Sequence, residues 1–261
     1  MLKASGRRDT VIPPKPGKSP VPVSDLANLV RLLLGRRPKA ESIKDLAIIA
    51  FWGIERIGEL THRSNRGPIG YHTKPTNQDV KHFSNVTVIK IHQAKTAKPG
   101  EIQLIKLRPM NSPLCPVKAI EQRLRTTLMG TDSLFGHDRD TTRVNITQQR
   151  ANNVLSAVWQ HLGKPELLGH SFQVGGASLQ SAMGINVEQI KNLGRWTSES
   201  YQRLGNVTIL PKRDGSGAKA QALKGSETWV GRHPSVFPSG SGSIQRVLRT
   251  RSTHTRRPLE T

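Results

Sequence analysis

Between Ser42 and Leu60 lies a helix-length segment whose centre, Leu46-Ala47-Ile48-Ile49-Ala50-Phe51-Trp52, is apolar on nearly every face. A surface helix carries one apolar stripe, whereas a helix apolar most of the way round must be enclosed by other elements. The segment therefore predicts a central helix, buried on most sides, around which the rest of the fold is wrapped. No run approaches the roughly 18 consecutive apolar residues of a membrane span.

Local patterns supply the wrapping. Ser24 predicts the cap of a helix whose apolar residues Leu26, Leu29, Val30, Leu33 and Leu34 share one face, with Gly35 and Pro38 ending it. From Asn85 to Leu107 the period changes to two: Thr87, Ile89 and Ile91 alternate with Val88 and Lys90, and alternation resumes after Lys98-Pro99-Gly100. That is a β-hairpin with a basic loop. Pro116 opens a helix through Ile120 and Leu124, and Thr147 caps another with Ala151, Leu155 and Val158 on one face. Short helices over about 174–183 and 187–193, broken at Gly184 and Gly194, complete the ordered part. The fold class is mainly α with a small antiparallel β-sheet (α+β).

The flanks have a different character. Residues 1–23 are Pro-rich and basic, and 211–261 are rich in Gly, Ser, Lys and Arg, so neither stretch can bury a core. The expected organisation is a basic arm (1–23), one domain (24–210) and a disordered basic tail (211–261). With 40 Lys+Arg against 18 Asp+Glu, the formal charge is +22. That excess predicts a polyanionic partner, double-stranded DNA above all. The single cysteine, Cys115, excludes an intramolecular disulfide, and no C-x-x-C or H-E-x-x-H pattern suggests a metal site. The N-terminus has no apolar signal core, so the protein is expected to be neither secreted nor membrane-bound: nuclear in a eukaryote, otherwise cytoplasmic.

Four phrases, read in order, carry a resemblance. They are Glu55-Arg56-Ile57-Gly58-Glu59-Leu60 at the end of the central segment, Gln93-Ala94-Lys95-Thr96 in the hairpin loop, Gly169-His170-Ser171-Phe172-Gln173-Val174-Gly175-Gly176-Ala177, and Leu193-Gly194-Arg195-Trp196-Thr197-Ser198. Together they resemble the motifs of tyrosine recombinases, the phage-type integrases, and most closely the recombinase-like domains of fungal mobile elements. The resemblance covers about residues 24–205. It implies a catalytic-core fold acting on DNA, with neither metal nor other cofactor, in which a tyrosine attacks a phosphodiester and two arginines hold its non-bridging oxygens. Carried over by position, Arg56 is the first arginine, Lys95 the general acid with Lys98 as nearest competitor, His170 the base and Trp196 the second His/Trp. Glu59 orients the site.

Two positions depart from the pattern. Gln173 stands where the second arginine belongs, and an amide supplies neither its charge nor its fork. Leu204 stands where the nucleophile belongs; the only tyrosines are Tyr71 and Tyr201. The resemblance thus implies DNA binding with strand cleavage lost and possible assembly as a homo-oligomer on DNA; the core-binding domain usual upstream in the family is expected to be missing, from the short non-globular stretch before the first helix. Two alternatives stand beside it: an active recombinase using Tyr201, and a non-enzymatic helix-turn-helix protein built on residues 174–194.

Overall fold

The computed structural model describes residues 19–67, 69–70, 73–95, 97–127, 129–140 and 142–196. The expectations for the arm before residue 19, for Tyr71, Tyr201 and Leu204, and for the basic tail lie outside the described residues.

The apolar segment is the central helix. It forms α2, Pro38–Trp52, and every residue from Ser42 to Phe51 is buried. Around it pack α1 (Val23–Leu33), α4 (Pro116–Arg125), α5 (Gln148–His161), α6 (Ser171–Ala182) and the strand β4 (Gly136–Arg139). The enclosure extends back to Val21, which is 1% exposed and donates its N–H to the Ser171 carbonyl. Gly175 and Gly176 let α6 press against backbone there. A Cβ at Gly176 would come within 2.1 Å of the Phe51 carbonyl oxygen, and one at Gly175 within 2.2 Å of that of Val21. The Gly-Gly pair is therefore a packing requirement of the central helix.

A buried polar layer fixes α4 on α2. Asp45 pairs with Arg123 at 2.6 Å and with Lys44 at 3.5 Å, and Gln122 hydrogen-bonds both Lys44 and Glu41. Removing one partner from such a layer costs far more than the layer itself contributes.

The hairpin is part of a three-stranded antiparallel sheet. Strand β2 (Thr87–Ile91) pairs with β3 (Gln103–Leu107), Ile89 opposite Ile105, and on its other edge with a short β1 (Val80–His82), Val80 opposite Ile89. Thr87, Ile89 and Ile91 face the core, as the alternation requires. Ahead of β1, Asp79 accepts from the Thr76 backbone and hydroxyl and lies 2.6 Å from His92 Nε2, closing this end of the sheet.

Three local expectations need correction, and one hairpin went unread. Helix α1 begins at Val23, so Ser24 lies in its first turn and caps nothing. The central segment starts four residues earlier than expected, because Pro38 supplies the pre-set N1 position. It also does not run unbroken to Leu60: α2 stops at Trp52, and a separate turn of helix, α3, covers Ile57–Leu60. A second hairpin, β4 with β5 (Thr142–Asn145), was not legible. The Thr147 cap is present, its hydroxyl accepting from the Arg150 N–H, and α7 covers Val187–Leu193 after Gly184 at φ +82°.

Candidate active site

The break after Trp52 shapes the site. Ile54 N–H reaches the Phe51 carbonyl at 3.2 Å and Glu55 N–H reaches Ala50 at 2.8 Å, the paired bonds of a Schellman ending with Ile54 in the left-handed position at φ +54°. Glycine is usual there; a branched side chain in this conformation costs roughly 1–2 kcal/mol. Gln173, 3% exposed, donates Nε2–H to the Ile54 carbonyl at 3.2 Å and so ties α6 to the strained turn. The turn reverses the chain and leaves Arg56 capping α3, partly exposed, its guanidinium 2.8 Å from Glu59.

A cavity of about 540 Å³ opens at this point. Arg56 and Glu59 line it from α3, Lys95 from the β2–β3 connection, His170 from the N-terminus of α6, and Gln148 and Asn152 from α5. Lys95 is also joined to α3 through its backbone N–H, 3.4 Å from Glu59 Oε1. Arg56, Lys95 and His170, spread over more than a hundred residues of sequence, thus share one concave surface. Gln173 and Trp196 do not line it. Gln173 is committed to the Ile54 turn, and Trp196, 8% exposed, packs with Ile54, Ala177 and Ile190. Lys98 is exposed and outside the cavity.

Three participants escaped sequence reasoning. Lys74, in the connection after α3, lines the same cavity and donates Nζ–H to the Gly58 carbonyl at 2.6 Å. Burial lowers its pKa, Glu59 opposes that shift and Arg63 adds to it. Nothing in the unpatterned stretch 61–79 marks this lysine.

The second and third are Arg195 and Glu55. Helix α7 ends as α2 does: Arg195 N–H bonds Asn192 and Trp196 N–H bonds Lys191, with Arg195 left-handed at φ +54°. Its guanidinium forks onto both carboxylate oxygens of Glu55 and reaches Glu59 at 2.6 Å. Two Schellman turns therefore face one another, joined by a buried arginine between two glutamates. Glu59 is the hub, since Arg56, the Lys95 backbone and Arg195 all meet it.

The network carries a pH signature. Glu55 is fully buried, and burial pushes its pKa up to about 8 against the pull of Arg195, with the nearby Glu59 charge adding to the rise. A carboxyl whose folded pKa exceeds its unfolded value keeps a proton that the unfolded chain has lost, so stability falls as pH rises between the two. Burial also holds Asp45 up at about 6 and His62 down at about 4. Above about pH 7.5 Asp45 is ionised, and His62 neutral, in folded and unfolded chain alike. Between about pH 7.5 and 8.5, the Glu55 contribution should lower urea-unfolding free energies as pH rises, by at most about 1.4 kcal/mol per unit. Glu55→Gln should flatten that slope; an equally steep slope in the variant would assign it elsewhere.

No protein-family model matches the chain, and no curated protein matches it in sequence. Solved structures do match. The XerH site-specific recombinase bound to difH substrate before cleavage is similar with a TM-score of 0.53 at 12% identity, over 72% of this chain and 50% of that one. The XerH post-cleavage complex with palindromic difH gives 0.51 at 11% identity, over 72% and 49%. A variant of the Tn1549 transposon integrase in complex with circular intermediate DNA gives 0.50 at 12% identity, over 71% and 60%. The chain spans about half the length of the XerH chains. Among the described residues no helix is long and apolar enough to cross a membrane. At this identity the likeness establishes architecture, and the architecture is that of the tyrosine-recombinase catalytic domain.

Proposed function

We propose that this chain binds double-stranded DNA with the Arg56 cavity against the phosphate backbone, as a recombinase-fold protein that has lost strand cleavage. The observation that carries the reading is the convergence of Arg56, Lys95 and His170 on one cavity. A phosphodiester is the ligand such a set suits: Arg56 offers a planar fork to non-bridging oxygens, Lys95 a mobile ammonium and His170 an imidazole. In an active relative of this plan, those groups would offset charge on the attacked phosphate and move protons between nucleophile and leaving oxygen. Here the second clamp position is a buried amide, Gln173, and the nucleophile position is Leu204. Binding without breakage is the function that remains, and the solved neighbours held DNA when crystallised. The DNA partner implies a nuclear site in a eukaryotic cell, and assembly of copies side by side on one duplex fits the same reading.

The test is affinity for a duplex of about 30 base pairs as a function of salt, read by fluorescence anisotropy. Each neutralised phosphate contributes about −0.9 to the log–log slope. Arg56→Met should weaken binding and make the slope shallower by about that amount, and deleting 211–261 should flatten it further while the domain stays folded. Unchanged affinity in Arg56→Met would remove the cavity from the DNA contact; an unchanged slope after truncation would remove the tail.

A further inference from the structure

We propose that Lys74 supplies the second cation for the phosphate in the Arg56 cavity, the charge that Gln173 does not provide. The inference rests on the DNA-binding reading above and adds to it a residue that no motif points to.

Two buried or half-buried cations near the site were given no role by the motifs, and geometry separates them. Arg195 is 7% exposed, does not line the cavity, and has both terminal nitrogens engaged by Glu55 and Glu59. A guanidinium so committed is a structural clamp. Lys74 is different. It shares the cavity wall with Arg56, Lys95 and His170, and its Nζ is anchored through one bond to the carbonyl of Gly58, two residues beyond Arg56. An ammonium has three donors, so one bond to Gly58 sets its position and leaves two N–H vectors for a ligand. The cavity lining holds three cations, Arg56, Lys74 and Lys95, against one carboxylate, Glu59. Glu59 is itself engaged by Arg56 and by Arg195 from behind. The cavity is therefore an anion site even with Gln173 turned away.

The position of Lys74 also fits a polymer better than a small anion. Lys74 lines two further depressions that adjoin the cavity, one with Arg63 and Arg66, the other with Arg63 and Arg150. It stands at the junction of the three. A backbone phosphate held between Arg56 and Lys74 would leave its neighbours these arginines to meet, so the lining suits a polyanion rather than an isolated ion.

Amine acetylation of the unmodified full chain, with and without saturating 30-base-pair duplex and read by mass spectrometry, tests the inference. DNA should protect Lys74 along with Lys95, and leave Lys106, exposed on β3 and outside these cavities, as reactive as before. In parallel, Lys74→Met should make the salt slope shallower by about 0.9, and Lys74→Arg should retain it. If Lys95 is protected and Arg56→Met weakens binding, but Lys74 reacts equally with and without DNA, this inference fails and the DNA reading stands. If none of the three responds to DNA or alters binding, both fail together. The protection arm uses the native chain, so a Lys74→Met variant that does not fold leaves the result decisive.

Discussion

Above pH 8, where Glu55 is ionised, Arg195→Met is expected to destabilise the domain by roughly 3–5 kcal/mol, the cost of removing one partner from a buried ionic group. Arg195 joins the end of α7 to the turn after α2, and the carboxylates it serves, Glu55 and Glu59, are 0% and 6% exposed. Methionine fills much of the same volume, so the loss is one of charge and hydrogen bonding rather than of packing. Glu59 would keep Arg56 at 2.8 Å; Glu55 has no other partner that reaches it with comparable geometry among the described residues. Two further substitutions that neutralise the stranded carboxylates, Glu55→Gln and Glu59→Gln, should recover a large part of the loss, since the penalty belongs to the unpaired charges. Urea unfolding of the single and triple variants measures this. A loss under about 1 kcal/mol for Arg195→Met, the range of an exposed pair, would mean that the network is open to water.

Arg195 also shows where sequence reading stops. Its phrase, Leu-Gly-Arg-Trp, is visible in the sequence, but the pairing with Glu55 spans 140 positions, and no local pattern reports a contact made only in three dimensions. What is local was legible. The all-apolar face of α2, the Thr87-Ile89-Ile91 alternation and the Thr147 cap each express a period or a hydrogen bond within a few residues. The break after Trp52 was not, because its left-handed residue is Ile54 rather than the glycine that normally marks a Schellman ending. The hairpin of Gly136–Arg139 and Thr142–Asn145 was hidden for another reason: its strands are four residues long and mostly polar, with too little alternation to read. For the site, motif order led to Arg56, Lys95 and His170, which line one cavity, but motif identity said nothing of Gln173's hold on Ile54 or of Lys74.

The second large effect concerns covalent chemistry, and the expected result is a complete absence: no protein–DNA adduct from the unmodified chain, even on nicked duplexes that trap a phosphotyrosyl link. The link requires a phenol at the phosphate, and on the proposed reading the nucleophile position is Leu204, which offers no nucleophilic atom. Gln173→Arg alone should not restore it, for two reasons. A clamp on the phosphate cannot substitute for an absent attacking group. Moreover, position 173 is 3% exposed and holds the strained Ile54 turn, so an arginine there must first find room and partners for a buried charge. Losing one oxyanion stabiliser costs on the order of 10²–10³ in rate, whereas losing the nucleophile removes the reaction path. Gln173→Arg with Leu204→Tyr is therefore the smallest change expected to give any adduct, and then in traces, with Lys74 standing in for part of the missing charge. Denaturing gels on end-labelled nicked duplex report each case. The opposing mechanism uses Tyr201: the unmodified chain would then form an adduct that Tyr201→Phe abolishes, and observing that pair of results would replace the cleavage-deficient reading with an active recombinase.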